Sequence, residues 1–323
     1  MTSPILITGG SGFIGRHLAA RLMQRGHQVR LLGRNFAPVA DLLAAGAIAV
    51  PADLRDRAAV IAACAGVDAV CHVGALSAPW GRRQDFYDIN VRGTQHVITG
   101  CRQHPVRRLV AISSPAVVFS GDDVLNAVES MPYPRQFTSD YAWSKRQAEE
   151  LLRGATDLAT VILRPKAVFG PGDRALLPRL IAAARAGRLP QIGDGRNLVD
   201  LTYVENVAHA IEQALVSQAA VGKIYTITNG EHVPLWDLLR NVFRRLNIPD
   251  RMQPVPIGVM LAAAALMETQ AAFTGREPLL SRYTVAILAR TQTYDITAAR
   301  RDLNYHPAIS VAEGVERTLA QVG

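Results

Sequence analysis

Cysteine is scarce in this chain of 323 residues: Cys64, Cys71 and Cys101 form neither a CxxC pair nor a cluster with histidine. Such spacing argues against a disulfide framework and a structural zinc site, so no metal is expected. Lysine is equally rare for so basic a protein, with only Lys145, Lys166 and Lys223 among 35 basic residues. Aromatic residues make up 6% of the chain. No block of five or more like charges occurs, and no basic stripe interleaved with aromatics, so nucleic acid is not an expected partner. No stretch reaches the roughly 18 uninterrupted apolar residues that span a bilayer. The N-terminus enters "PILITGG" with no charged region ahead of a long apolar core, so no secretory leader is expected. A reducing cytoplasm fits this composition.

What is present is the material of a folded globular protein, 49% hydrophobic and long enough to bury a sizeable core. The formal net charge of +8 comes from scattered arginines such as Arg82/Arg83, Arg107/Arg108 and Arg300/Arg301. A solvated basic surface accounts for it; attraction of a phosphate-bearing ligand is the sharper reading.

Short apolar runs alternate with amphipathic segments through the first half. "PILIT" (4–8), "QVRLLG" (28–33), "AIAV" (47–50), "DAVCHVG" (68–74), "RLVAISS" (108–114) and "ATVILRP" (159–165) read as strands covered on both faces. Helical patterns at 13–25, 56–65, 85–103 and 140–153 lie between them. The alternation predicts an α/β fold, a Rossmann-type doubly wound parallel sheet. After Pro165 come a "GPGD" loop (170–173), a helix around 175–187, a short strand feeding a helix over 197–215, and then mainly helical segments. We expect a cofactor-binding domain over 1–165 and a smaller, mainly helical substrate-binding cap over 166–323, with a strand near 223–228 returning to the main sheet.

Two motifs carry chemistry. Gly10-x-Gly12-x-x-Gly15 follows the first strand and opens the first helix, the setting in which glycines let the backbone turn tightly and approach a pyrophosphate. Free amides at the helix start then face the phosphates. At the end of the second strand, where NAD-binding versions carry Asp or Glu, stand Gly33 and Arg34. A carboxylate would repel a 2′-phosphate and Arg34 could bind one, so NADP(H) is favoured over NAD(H). Arg34 could equally be an exposed arginine stacked over adenine. Asp53, after the third strand, is a candidate for the adenine amino group or for a helix N-cap.

The second motif is Tyr141-x-x-x-Lys145. Residues four apart share one face of a helix, and about 0.07 such matches are expected by chance from this composition. A phenol titrates near 10, too high for easy proton transfer at neutral pH, and a neighbouring ammonium lowers that value. An ammonium is a compact point donor that a planar, permanently charged guanidinium cannot replace. The bland alternative is an exposed helical pair.

"TGGSGFIG" (8–15), "ISSPAVVF" (112–119), "YAWSK" (141–145), "LRPKAVFGPGD" (163–173) and "VDLTYVENVAHA" (199–210) together resemble the extended short-chain dehydrogenase/reductase superfamily. Within it the chain most resembles the 3β-hydroxysteroid dehydrogenase-like branch, which includes sterol-4-carboxylate 3-dehydrogenases and 2-alkyl-3-oxoalkanoate reductases. The resemblance implies that Tyr141 is the general acid/base, Lys145 its electrostatic partner and a contact of the cofactor ribose, and Ser114 the substrate-oxygen donor, with Ser113 as fallback. It implies a phosphate loop of Gly9, Gly12 and Gly15 with Phe13 and Ile14 at the helix start, Asp53 and Leu54 beside the adenine, Val73, Gly74 and Ala75 beneath the cofactor, and Pro165 near the nicotinamide. Asn90 would steady the central strands or a water, or simply cap a turn. Glu205 stands where Asp is usual, and "HVGA" (72–75) replaces His-x-Ala-Ala. A homodimer is implied as well.

The expected activity is hydride transfer between a nicotinamide and the 3-oxo or 3-hydroxy group of a small apolar substrate. The apolar stretch 255–273 reads as a packed cap helix, as a greasy wall for such a substrate, or as a helix on a membrane surface, although it lacks the basic polar face of a surface-seeking helix. The alternatives are an NDP-sugar epimerase or dehydratase with tightly held NAD(P), and a non-catalytic NADP-binding scaffold.

Overall fold

The computed structural model describes residues 4–173 and 177–321. Seven parallel strands make the main sheet: β1 (Ile5–Thr8), β2 (Val29–Gly33), β3 (Ile48–Pro51), β4 (Ala69–His72), β5 (Arg108–Ile112), β6 (Thr160–Pro165) and β7 (Ile224–Ile227). Their spatial order is β7-β6-β5-β4-β1-β2-β3. The chain thus builds outward from β1 to β3, then reverses and builds from β4 to β7. The reversal falls between β1 and β4, and in such sheets ligands bind outside the carboxyl ends at that point. Every residue of β1, β4, β5 and β6 is buried, as their unbroken hydrophobic runs require, whereas edge strand β3 is largely exposed.

Helices cover both faces. On one side α1 (Phe13–Gln24) contributes Leu18 and Leu22 to the core. On the other, α2 (Gly93–Gln103) and α3 (Asp140–Gly154) bury Val97, Ile98 and Leu152. Helix α4 (Val204–Val216) joins α1 through Val207 and Ile211. The single helix expected over 85–103 is broken. A short helix (Arg83–Phe86) passes into a π-turn (Tyr87–Arg92) before α2 begins. Such a turn re-aims side chains, and Asn90 sits within it.

The smaller lobe surrounds a separate core that includes Trp236, Leu239 and Phe243. Its four-stranded sheet draws Leu198–Asp200, His232–Pro234 and Gln292–Tyr294 from the second half, but also Val124–Ala127 from the first. Conversely, Ala299, Leu303 and Tyr305 return to the core under the main sheet. The helix expected around 175–187 runs Leu177–Arg185; its first expected residues lie outside the described ones. Helices α5 (Ile257–Thr274) and α6 (Arg282–Ala289) complete this lobe.

Helix α5 is not a packed core helix. Only Ala264 and Ala271 are buried along its 18 residues, while Leu266 and Phe273 are 74% and 88% exposed. With a mean hydropathy of 1.4 it is, by length and composition, the one helix among the described residues able to cross a membrane. An unbroken-run criterion passes over it because Glu268, Thr269 and Gln270 interrupt the run.

Candidate active site

The turn after β1 is built around the absence of side chains. Gly9 adopts φ +65°, and a Cβ there would lie 2.5 Å from the Gly74 Cα. A Cβ on Gly15 would fall 2.2 Å from the Gly9 carbonyl oxygen. Only glycine lets α1 start this close to the strand end, leaving its first amides uncovered. The resulting cleft, about 360 Å³, is lined by Gly9, Gly12, Phe13, Ile14, Gly15, Arg34, Asp53, Leu54, Val73, Gly74 and Ala75 among others. All the residues anticipated around the adenine and pyrophosphate therefore meet in one place. This glycine cradle, with a helix N-terminus at its base, fits a dinucleotide. Pro165 and Lys145 lie elsewhere, Pro165 at the end of β6 paired with Ile227.

Arg34 is a largely exposed rim residue whose guanidinium is 3.6 Å from the Asp53 carboxylate. Asp53 is gripped more closely by Arg55, whose side-chain hydrogen bond leads in holding its carboxyl at about 2. It is not the helix N-cap: Asp56 fills that position, accepting from the Ala59 amide. At Gly33 a Cβ would meet Ser11 Oγ at 2.8 Å, a contact that a turn of the serine hydroxyl relieves.

Thr8, His72 and Thr94 tie the cleft floor together. Thr94 Oγ1 donates to the Asn90 carbonyl at 2.6 Å, so it accepts from His72 Nε2 at 3.0 Å. His72 Nδ1 then accepts from Thr8 Oγ1 at 2.7 Å, and Thr8 accepts from the Gly74 amide at 3.2 Å. Burial, with help from the Lys145 charge, depresses His72 to about 3, so it is a neutral linker. Asn90 clasps the loop after β4, accepting from the Leu76 amide at 2.7 Å and donating to its carbonyl at 3.0 Å. The same amide nitrogen reaches Ser144 Oγ at 2.9 Å on α3.

Helix α3 opens with Ser139 as N-cap, its hydroxyl accepting from the Ala142 amide. This sets Tyr141 in the first turn at the carboxyl edge of the sheet. The hydroxyls of Ser114 and Ser77 lie close enough to the Tyr141 phenol to act on it. Desolvation dominates and raises its pKa; the two hydroxyls partly offset the rise. The expected lowering by Lys145 is not among the influences on the phenol in this arrangement. The Lys145 ammonium instead donates to the Ile112 carbonyl at 2.6 Å, and burial brings it from 10.5 down to about 8, opposed by the Glu149 charge.

Between the two candidate serines the structure makes a clear distinction of place. Ser114 caps a short turn, accepting from the Ala116 amide, and reaches the phenol. Ser113 is buried and its hydroxyl has no partner among the described residues. Alternation along an extended strand puts the neighbours on opposite faces. Glu205 lies away from the site on the first turn of α4, near Tyr203 and Arg317.

Sequence reasoning passed over Ser77 and Tyr283. Ser77 belongs to the loop that Asn90 clasps, and Tyr283 on α6 is close enough to Tyr141 for its phenol to be raised further by it. Neither residue sits in a local motif; both arrive from distant parts of the chain. One turn further along α3, Glu149 is fully buried against Arg164, with bonds of 2.8 and 2.6 Å and a third from the Tyr133 hydroxyl at 2.7 Å. This network fastens the site helix to β6.

A doubly wound sheet, a glycine cradle at its reversal point and a Tyr-x-x-x-Lys helix with a serine opposite define an extended short-chain dehydrogenase/reductase. It is an NAD(P)-dependent oxidoreductase. The model of the 3-beta hydroxysteroid dehydrogenase/isomerase family matches residues 6–257, and the chain belongs to that family. It is 38% identical to a 2-alkyl-3-oxoalkanoate reductase of Stenotrophomonas maltophilia over 98% of both chains. It is 32% identical to the human decarboxylating sterol-4-alpha-carboxylate 3-dehydrogenase, across 97% of this chain and 86% of that one. The dTDP-glucose 4,6-dehydratase DesIV of Streptomyces venezuelae, solved with NAD bound, superposes with a TM-score of 0.79 over 98% of this chain and 96% of its own. At 24% identity that likeness shows the fold alone.

Proposed function

We propose that this enzyme interconverts a 3-oxo and a 3-hydroxy group on an apolar substrate, a 3-oxo acid or a steroid-like ketone. The observation that carries the reading is a buried Tyr141 phenol with the Ser114 and Ser77 hydroxyls acting on it, on a chain that also builds the glycine-lined cleft. The relatives named for 2-alkyl-3-oxoalkanoates and sterol carboxylates support the substrate class. When bound, the nicotinamide exchanges the hydride with the substrate carbon. In reduction Tyr141 gives its proton to the oxygen as it gains charge, and Ser114 and Ser77 donate hydrogen bonds to the same oxygen. Lys145, its ammonium held on the Ile112 carbonyl, would contact the coenzyme ribose. The cradle of Gly9, Gly12 and Gly15, with Phe13 and Ile14, would hold the pyrophosphate, Asp53 and Leu54 the adenine side, and Val73, Gly74 and Ala75 the cleft floor, with Pro165 toward the nicotinamide.

NADP(H) is the preferred coenzyme in this reading. Arg34 stands exposed at the rim, and Gly33 supplies no acid to bind a 2′-hydroxyl. The cofactor domain is built mainly from 1–165, joined by β7, α4 and 299–305, and the cap from the remainder of 166–323 with Val124–Ala127. The enzyme is a cytoplasmic homodimer.

The test is Tyr141→Phe assayed with 3-oxo acids, steroid ketones and sugar nucleotides, each with NADPH and NADH. Wild-type enzyme consumes NADPH with an apolar ketone, and the variant loses turnover by about 10²–10⁴-fold while still binding coenzyme. Near-normal turnover by the variant would remove Tyr141 from the mechanism. Conversion of a sugar nucleotide without net coenzyme consumption would make the enzyme an epimerase or dehydratase instead.

A further inference from the structure

Helix α5 turns its largest apolar side chains outward. Val259, Leu266 and Phe273 recur every seven residues, so they share one face to within about 40°. Val259 is 57% exposed, and Leu279, a few residues past the helix, is 83% exposed. The opposite face, with Ile257, Met260, Leu261 and Ala264, packs on the core of the smaller lobe. Glu268 is the one charged residue of the helix. Its side chain is turned inward, accepting from Arg282 Nε at 2.7 Å and from the Arg282 amide at 2.8 Å. The outward face therefore carries no charge.

Positive charge gathers at the two ends instead. Gln191–Ile192 pairs in parallel with Pro254–Val255, so Arg188 and Arg251, each three residues ahead, arrive together where α5 begins. Arg276 follows Gly275 at the other end. All three arginines are exposed. The acids nearby in sequence are already matched, Asp250 to Arg240, Glu268 to Arg282 and Glu277 to Arg179. Asp194, next to the start of α5, is offset by the exposed Arg196. An uncharged apolar stripe about 27 Å long with arginines at both ends matches a bilayer surface, hydrocarbon meeting the stripe and lipid phosphates meeting the guanidiniums. A second copy of the helix, in either orientation, would set arginine against arginine.

We propose that α5 docks the enzyme on an anionic lipid surface, with Val259, Leu266, Phe273 and Leu279 at the acyl boundary and Arg188, Arg251 and Arg276 on headgroup phosphates. The helix lies on the bilayer and does not cross it, because its inner face stays packed on the lobe and Glu268 ties it to α6. Glu268, Arg282 and Tyr283 also line a cleft of about 760 Å³, and Tyr283 lies beside Tyr141. Docking thus presents that cleft to lipid-dissolved molecules. Delivery of substrate by this route rests on the ketone-reductase reading above; the docking itself does not.

The test is flotation of the full-length enzyme with vesicles of equal parts phosphatidylcholine and phosphatidylglycerol, and with phosphatidylcholine alone. Wild type is expected to float with the anionic vesicles and to be released by high salt or alkaline carbonate. Leu266→Glu/Phe273→Glu and Arg251→Glu/Arg276→Glu are each expected to partition at least tenfold more weakly onto the anionic vesicles. Both pairs replace exposed side chains, so melting temperatures should stay within about 2 °C of wild type. Failure of wild type to float, or equal flotation of all three proteins, would overturn the docking. So would retention after carbonate, which would make α5 a spanning helix, or a lipid-free dimer that Leu266→Glu dissociates, which would make it a subunit interface. None of these readings needs turnover, so the docking is judged even if the reductase reading fails.

Discussion

Lys145→Met should make the protein more stable and less active at once. Lys145 is 6% exposed, and burial brings its ammonium from 10.5 to about 8. Holding it protonated at neutral pH therefore costs about 3 kcal/mol of folding free energy. Methionine fills nearly the same volume without the charge and gives up the bond to the Ile112 carbonyl, worth about 1 kcal/mol. The net gain is roughly 1–2 kcal/mol at pH 7, a rise in melting temperature of about 2–4 °C per kcal/mol at most for a chain this long. The sign with pH follows from the direction of the shift. Between about 8 and 10.5 the unfolded chain binds more protons than the folded one, so wild-type stability rises with pH while the variant lacks this contribution. Calorimetry or urea unfolding at pH 7, 8.5 and 10 should show the variant's advantage shrinking steadily. A variant less stable than wild type at pH 7, or an advantage that grows with pH, would refute the argument that burial governs this lysine. Turnover in the same variant should fall sharply, since the ammonium that would hold the coenzyme ribose is gone.

Gly15→Ala places a methyl group 2.2 Å from the Gly9 carbonyl oxygen, so α1 must retreat from the loop. NADPH affinity, read by fluorescence titration, should fall by about two orders of magnitude or more, whereas normal affinity would show that the cradle is looser than its geometry. Arg34→Ala should weaken NADPH binding about tenfold or more and leave NADH nearly unchanged, because a bidentate arginine–phosphate contact recognises only the 2′-phosphorylated form. Equal effects on both coenzymes would reduce Arg34 to a stacking or surface role.

The parts that local chemistry fixes were legible in the sequence. Six of the seven main strands announce themselves as apolar runs; for β1, β4, β5 and β6 the reason is that a doubly covered strand must be hydrophobic on both faces, whereas the run of edge strand β3 lies largely exposed. The return of β7 to the main sheet was visible in "GKIYTITNG", while its place beside β6 came from the fold. The glycine loop and the Tyr141/Lys145 helix were legible for the same reason: their function depends on spacing within one turn. Where the reading fell short, the cause was long-range. The π-turn at Tyr87–Arg92 breaks no periodicity rule, and its purpose appears only when Asn90 meets Leu76 and Ser144. The exposure of α5 was hidden because an apolar helix reads alike whether it is buried or bare.

The sequence by itself determined the sheet, the glycine cradle and the placing of a phenol and an amine four residues apart on one helix, since each arises from residues adjacent along a strand or helix. Tertiary structure alone decided the electrostatics. Whether Lys145 and Lys166 titrate near 8 depends on how much water the packed chain removes from them, and on which carbonyl or amide the fold brings to their ends. Desolvation is a property of the assembled interior, with no counterpart in any short stretch of residues.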